Sequence, residues 1–152
     1  MNRKILARER QQIRVSLKNV LFAIINNMEI KFIDHIVLVV KDLFETEKFY
    51  SSFLGEPIHK DNESLAYEVG GIKIFLTVSD GEFESSDKDK GGLNHLAFGV
   101  NNLEELTSFE SILNKHSIQN SGIKTDPYGH NEFIWFNDPS GYRLEIYCRL
   151  LK

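Results

Sequence analysis

The chain has 152 residues, of which 41% are hydrophobic and 26% are charged, and its formal net charge at pH 7 is −4. That length predicts one domain of ordinary size, or two small repeated halves that share a core. Eleven Phe, five Tyr and one Trp are too many large apolar groups for a solvated chain. No apolar run approaches the roughly 20 residues of a membrane-spanning helix, so we expect neither a disordered chain nor a transmembrane segment.

The first 27 residues are predicted to form a basic extension. They contain six Lys or Arg and one Glu, a net charge of +5, which leaves −9 for residues 28–152. An acidic domain of this kind is a poor candidate for nucleic acid, so we predict no nucleic-acid partner. The extension is interpreted as dispensable, with a surface helix that contacts anionic lipid or a partner as the alternative.

The chain contains one cysteine, Cys148, which excludes an intramolecular disulfide framework. A lone thiol fits a reducing compartment, and the apolar run near residue 20 is shorter than the core of a secretory signal. We therefore predict a cytoplasmic protein.

An internal repeat organises the rest of the chain. At an offset of 60 residues, His35 falls on His95 and the candidate helix cap Asp42 falls on Asn102. Each copy begins as an apolar strand of about eight residues and continues as an amphipathic helix with a Glu three residues after the cap. Gly55 is the predicted C-cap of the first helix.

After each helix the pattern becomes extended, with glycine-containing turns between the segments. The order β-α-β-β-β therefore occurs twice, in modules over residues 31–79 and 92–149. A polar linker over residues 80–91 joins them within a domain that spans residues 28–152. We predict an α+β fold of two similar βαβββ modules, an architecture that says nothing by itself about function.

Strand alternation places three candidate ligands on one face. If the wholly apolar faces pack under the helices, His35, His95 and Glu145 all lie on the opposite face. Two imidazoles and one carboxylate suit a divalent first-row metal (Fe, Mn, Ni, Co or Zn) with positions left open for substrate or water. The structural alternative is a pair of core histidines, with Glu145 in an ion pair with Arg143.

Three motifs carry a resemblance to a known family: Ile33-Asp-His-Ile-Val-Leu-Val-Val, Leu93-Asn-His-Leu-Ala-Phe-Gly-Val and Asn137-Asp-Pro-Ser-Gly-Tyr-Arg-Leu-Glu145. The chain resembles the vicinal oxygen chelate superfamily, which includes glyoxalase I, fosfomycin resistance proteins, extradiol dioxygenases, methylmalonyl-CoA epimerase and bleomycin resistance proteins. The resemblance implies an open, cup-shaped mixed sheet around a divalent metal, with the two histidines and Glu145 as ligands. It also implies a homodimer, often with each site built from both chains.

The sequence departs from the known branches of this superfamily. Phe75 stands where glyoxalase I has a fourth, carboxylate ligand, and the epimerase also needs carboxylate bases. Val37 replaces the Thr that is usual in fosfomycin thiol transferases, and Trp135 replaces a Tyr of the extradiol dioxygenases. The resemblance therefore predicts a metal-dependent lyase, dioxygenase or transferase without selecting the reaction.

The remaining candidate site residues are aromatic groups and one loop. Phe75, Phe133 and Trp135 are predicted to line the binding site of a small organic substrate with chelating oxygens, although aromatic strand residues are commonly core. His130 and Tyr128 are candidate acid/base or clamp residues in a Pro/Gly loop, where a solvated histidine without a role is the alternative. A metal-free drug- or metabolite-binding protein of the bleomycin-resistance kind and a fosfomycin-resistance enzyme are the alternative functions.

Overall fold

The computed structural model describes residues 29–79 and 81–149. The chain divides into a short unit that ends at Ile33 and a larger unit that begins at Asp34. Residues 29–33 have no regular secondary structure. The predicted basic extension over residues 1–27 lies outside the described residues. None of the described helices combines the length and hydrophobicity that a membrane crossing needs.

The larger unit contains the β-α-β-β-β order twice, which confirms the predicted α+β fold. The first module consists of β1 (His35–Val40), α1 (Leu43–Leu54), β2 (His59–Lys60), β3 (Ser64–Val69) and β4 (Ile72–Val78). The second consists of β5 (Leu96–Val100), α2 (Leu103–Lys115), β6 (Lys124–Thr125), β7 (Glu132–Asn137) and β8 (Arg143–Cys148).

Each module forms its own open, mixed four-stranded sheet, in the orders β1-β4-β3-β2 and β5-β8-β7-β6. The first strand of each module runs parallel to the last and lies at the sheet edge. The registers are equivalent, since Val37 pairs with Phe75 in the first sheet and Ala97 pairs with Glu145 in the second. Each strand position in the first sheet therefore has a counterpart in the second. The two sheets are separate, with β1 and β5 at their edges.

The predicted helix caps are confirmed. Asp42 Oδ1 accepts a hydrogen bond from the backbone N–H of Glu45 at 2.8 Å, and Asn102 Oδ1 accepts one from Glu105 at 2.9 Å. These bonds satisfy donors that the first turn of a helix leaves free. At the other end of α1, Gly55 adopts a φ of 82°, a left-handed value that favours glycine.

One hydrophobic core serves both modules. On β1, Leu38 is 4% exposed and Val40 is fully covered, while Ile36 on the same face is partly buried. Aromatic rings from both helices and from β7 pack against one another, with centroid separations from 5.4 to 6.0 Å. Burial of this area stabilises the two modules as one unit. The rings belong to Phe49, Phe53, Phe109 and Phe136.

A buried carboxylate ties the first module to the turn between β7 and β8. The Tyr50 hydroxyl donates to Asp138 Oδ2 at 3.0 Å, while the N–H groups of Ser140 and Tyr142 donate to Asp138 Oδ1. The Ser140 hydroxyl in turn accepts a hydrogen bond from the backbone N–H of Lys41. Burial raises the pKa of the Asp138 carboxyl above its ordinary value, although these hydrogen bonds act in the opposite direction.

We expect Asp138→Asn to change how stability depends on pH. Because the pKa of Asp138 is raised on folding, the folded protein keeps a proton that the unfolded chain has lost above about pH 4. The free energy of unfolding of the wild type, relative to the variant, should therefore decrease as the pH rises through this window. Urea unfolding of both proteins at stepped pH measures the difference.

Asp61→Asn is the matched control, because hydrogen bonds from Glu63 and His59 lower the pKa of Asp61 to about 2. The wild type should gain free energy of unfolding relative to this control variant as the pH rises from about 2 to about 4. If the free energy of unfolding of the wild type relative to Asp138→Asn stays constant or increases with pH, the pKa of Asp138 is not raised on folding.

Candidate functional site

The structure brings together two of the three predicted ligands. Glu145 lies in the middle of β8, and His95 immediately precedes β5. His95 Nε2 is 3.7 Å from Glu145 Oε2. His35 begins β1 in the other module, and within residues 29–79 and 81–149 no three His, Cys, Asp or Glu side chains gather closely enough to hold a metal ion. One chain therefore brings His95 close to Glu145 but leaves His35 apart, and we call the His95–Glu145 pair the half-site of the second module.

The donor chemistry of this half-site fits a divalent metal. A separation of 3.7 Å is too long for a hydrogen bond but suits a nitrogen and an oxygen that each bind one ion at about 2.1 Å. The Glu145 side chain is 14% exposed. The structural alternative, an ion pair of Glu145 with Arg143, does not form in the described part of the chain.

Each histidine ring is oriented by the residue that precedes it. His95 Nδ1 donates to Asn94 Oδ1 at 2.7 Å, and His35 Nδ1 donates to Asp34 Oδ2 at 2.8 Å. Because these oxygens are acceptors, the hydrogen bonds leave Nε2 of both rings free to bind a metal. The bond from His35 also lowers the pKa of the Asp34 carboxyl.

Sequence reasoning overlooked these two orienting residues. Their signal was the repeat itself, because Asp34 falls on Asn94 at the same offset of 60 residues that aligns His35 with His95. A side-chain acceptor directly before each candidate ligand is the pattern expected of an outer shell that holds a ring in place.

The first module carries a histidine, His35, but no carboxylate at the position equivalent to Glu145. Phe75 occupies the register position that Glu145 occupies in the second module. Its ring packs edge-on against His35, with a centroid separation of 5.7 Å. This contact places Phe75 beside a predicted ligand, but Phe75 offers the metal no donor atom.

An open cleft of about 600 Å³ lies over the His95–Glu145 pair. Phe133 and Tyr147 form a stacked aromatic wall, with ring centroids 6.2 Å apart. Trp135 is the cross-strand partner of Glu145 but does not line this cleft. Eight residues carry the polar groups and aromatic surface of the lining: His95, Phe98, Asp126, Tyr128, Phe133, Glu145, Tyr147 and Arg149.

The loop over the cleft is held by Asp126. Asp126 Oδ2 accepts hydrogen bonds from the Tyr147 hydroxyl at 2.6 Å and from the Gly129 N–H, and Oδ1 accepts one from the Tyr128 N–H. These bonds lower the pKa of Asp126. The Tyr128 side chain is 92% exposed at the cleft, whereas His130 is exposed with a φ of 57° and does not line it.

This fold and site define a duplicated α+β module with a His95–Glu145 pair beneath an aromatic cleft. Residues 32–146 match the family model of the Glyoxalase/Bleomycin resistance protein/Dioxygenase superfamily, and the chain belongs to that superfamily. The uncharacterized protein YaeR of Escherichia coli (strain K12) is 28% identical over 128 residues, which is 78% of this chain and 96% of YaeR.

Two further proteins are similar to this chain. A glyoxalase family protein from Enterococcus faecalis is 26% identical, with a TM-score of 0.66 over 79% of this chain and 99% of that structure. The metallothiol transferase FosB of Staphylococcus saprophyticus is 22% identical over 123 residues, which is 81% of this chain and 80% of FosB.

Tyr147→Phe is expected to loosen the loop over residues 126–131. The substitution removes a charge-assisted hydrogen bond to Asp126, so the amides of Tyr128 and Gly129 should exchange with solvent about tenfold faster. Hydrogen–deuterium exchange followed by NMR measures the two rates. Tyr142→Phe is the matched control, because the Tyr142 hydroxyl bonds to Val39 instead. Equal rates in all three proteins would show that Tyr147 does not anchor the loop.

Proposed function

We propose that this chain is a divalent-metal-dependent enzyme that acts on a small organic substrate with adjacent chelating oxygens. His35, His95 and Glu145 are the proposed metal ligands. The observation that carries the proposal is the His95–Glu145 pair, whose side-chain atoms converge to 3.7 Å beneath an aromatic cleft. The hydrogen bond from His95 Nδ1 to Asn94 supports it, because a ring held in this way keeps Nε2 free for a metal.

We further propose that a second copy of the chain completes the site. One chain leaves His35 outside the His95–Glu145 pair, while β1 and β5 are both edge strands. Val37 and Val39 on β1 are 52% and 42% exposed, and exposed apolar side chains on an edge strand favour association with another surface. In the proposed homodimer, β1 of one chain lies beside β5 of its partner, and His35 joins the partner's ligand pair.

The bound metal would supply Lewis-acid chemistry, holding the substrate oxygens and stabilising negative charge that develops on them. The aromatic wall of Phe133 and Tyr147 would bind the apolar body of the substrate and exclude water from one side of it. Phe75 has no proton to transfer, so the first module offers no carboxylate base at that position. Acid/base work is therefore assigned to the loop, where Tyr128 lines the cleft and His130 follows two residues later.

The reaction class is proposed as lyase, dioxygenase or transferase. A second candidate, the opening of a small oxygen-bearing substrate by a thiol or water, is favoured by the similarity to the metallothiol transferase FosB. Turnover of fosfomycin with a thiol or with water tests this candidate directly. The metal-free binding protein remains the competing proposal, and metal content separates it from both enzymes.

We expect protein purified without chelators or a His-tag to contain about one divalent ion per chain by elemental analysis. Glu145→Ala and His95→Ala should lose it, because each removes a ligand. Asn94→Ala should weaken metal affinity by about 10- to 100-fold, because it frees the His95 ring. Glu68→Ala is the control, because it removes the same charge from an exposed position on β3 and should leave the metal content unchanged.

Two outcomes would contradict the metal site. Stoichiometric metal in a folded Glu145→Ala variant would show that Glu145 is not a ligand. Wild-type protein that contains no metal, and that Fe, Mn, Ni, Co and Zn do not stabilise against heat, would favour the metal-free binding protein.

Mixed dimers test whether the site is shared between chains. His35→Ala and Glu145→Ala homodimers should each lose both sites. The two variants are then co-expressed with different tags, and the heterodimer is purified. Both substitutions fall in one of its two shared sites, so the second site keeps all three proposed ligands. We expect about one ion per heterodimer.

A site built within one chain gives a different result, because each chain of the heterodimer then carries its own lesion and no metal is recovered. A monomeric mass in solution at micromolar concentration would remove the shared site altogether.

A further inference from the structure

The single tryptophan of the chain is flanked by two cations. The Cζ atom of Arg143 is 4.0 Å from the centroid of the Trp135 ring, and Nζ of Lys124 is 5.8 Å from it. Trp135 is the cross-strand partner of Glu145 and therefore lies on the same face of the sheet. We call Lys124, Trp135 and Arg143 the cationic indole cluster. It lies beside the proposed ligand Glu145, outside the lining of the aromatic cleft.

These two cations have no anionic partner within the residues that the structure describes. No carboxylate lies within ion-pair distance of either, whereas Lys60, for example, pairs with Glu47 at 2.6 Å. The Arg143 Nε atom is buried and has no hydrogen-bond acceptor. A guanidinium that contacts an indole through its face keeps the in-plane N–H donors at its edge for an anion. In a chain of net charge −4, such a pair of unneutralised cations is a candidate anion site.

We propose that the cationic indole cluster binds the anionic group of the substrate, a carboxylate or a phosphate ester on a small organic body. The proposal deepens the proposed function, because it requires the substrate to lie over Glu145. Arg143 precedes Glu145 by two residues on the same face of β8, a separation of about 6.6 Å along a strand. That span matches a small molecule whose chelating oxygens lie at Glu145 while its charged end contacts Arg143.

Preorganisation favours Arg143 over the other arginine on this face. Arg149 lies beyond Tyr147 and lines the aromatic cleft, but it is exposed, and among the described residues no ring lies under its guanidinium. A guanidinium held over an indole, with Cζ 4.0 Å from the ring centroid, has already lost much of its rotamer freedom, so binding an anion costs it less entropy. In this proposal the cationic indole cluster binds the anionic group of the substrate, while the aromatic wall at Phe133 and Tyr147 binds its apolar surface.

Trp135 fluorescence reports on this cluster directly, because the chain has one tryptophan. The full chain, freed of metal and chelator, is titrated with benzoate, with its neutral analogue benzamide and with phenyl phosphate, and calorimetry repeats each titration. We expect at least one of the two anions to bind at least tenfold more tightly than benzamide. Whichever anion binds more tightly identifies the carboxylate or the phosphate class.

Variants assign the charge preference to the cluster. Arg143→Met should reduce the tenfold preference for the anion to less than twofold, and Lys124→Met, at an exposed strand position, should weaken anion binding by about two- to fivefold. Lys115→Met removes the same charge from the exposed last turn of α2 and should leave the preference unchanged. Circular dichroism verifies that each variant is folded.

Three results would overturn the proposal: equal binding of anion and benzamide, an unchanged preference in folded Arg143→Met and Lys124→Met, or loss of the preference in Arg149→Met alone. Because the titration contains no metal, its outcome is independent of the metal analysis. If the wild type contains metal but shows no preference for the anion, only the proposed anion site is contradicted. If it prefers the anion but binds no metal, only the proposed metal site is contradicted.

Discussion

The shared hydrophobic core determines where chemistry can occur in this chain. Each helix covers the apolar face of the sheet in its own module, and aromatic rings from the two helices contact each other. A strand that buries one face must present its alternate residues on the other. His35 and Glu145 therefore lie away from the core because Leu38, Leu144 and their neighbours are buried in it. The cleft, the half-site and the cationic indole cluster all depend on this division.

Duplication makes the difference between the two halves informative. The registers of the sheets are equivalent, so Phe75 and Glu145 are true structural counterparts. In the second module the position carries a carboxylate next to His95, and in the first it carries a ring packed edge-on against His35. The second module thus places a carboxylate beside its histidine, whereas the first places an aromatic ring beside its histidine. The proposed three-ligand metal site therefore takes its ligands from both modules.

Each of three charged side chains in the second module has a different kind of partner. Glu145 is close to an imidazole, Arg143 stacks on Trp135, and Asp138 is buried under hydrogen bonds from Tyr50 and the backbone. The sequence left an ion pair between Arg143 and Glu145 open as the alternative to a metal site, because both side chains share one face of β8. The indole on the neighbouring strand competes for the guanidinium, and this cross-strand contact separates the two charges.

The sequence by itself determined the two modules, their order of elements, the helix caps and the buried faces, because each of these follows from short-range periodicity and capping chemistry. It also identified His95 and Glu145 as candidates for one site. Only the tertiary structure decided that these two meet while His35 stays apart, and that Trp135 lies outside the cleft that Phe133 lines. Alternation states which face a side chain occupies, but distances across a sheet depend on strand order, register and the packing of both modules on one core.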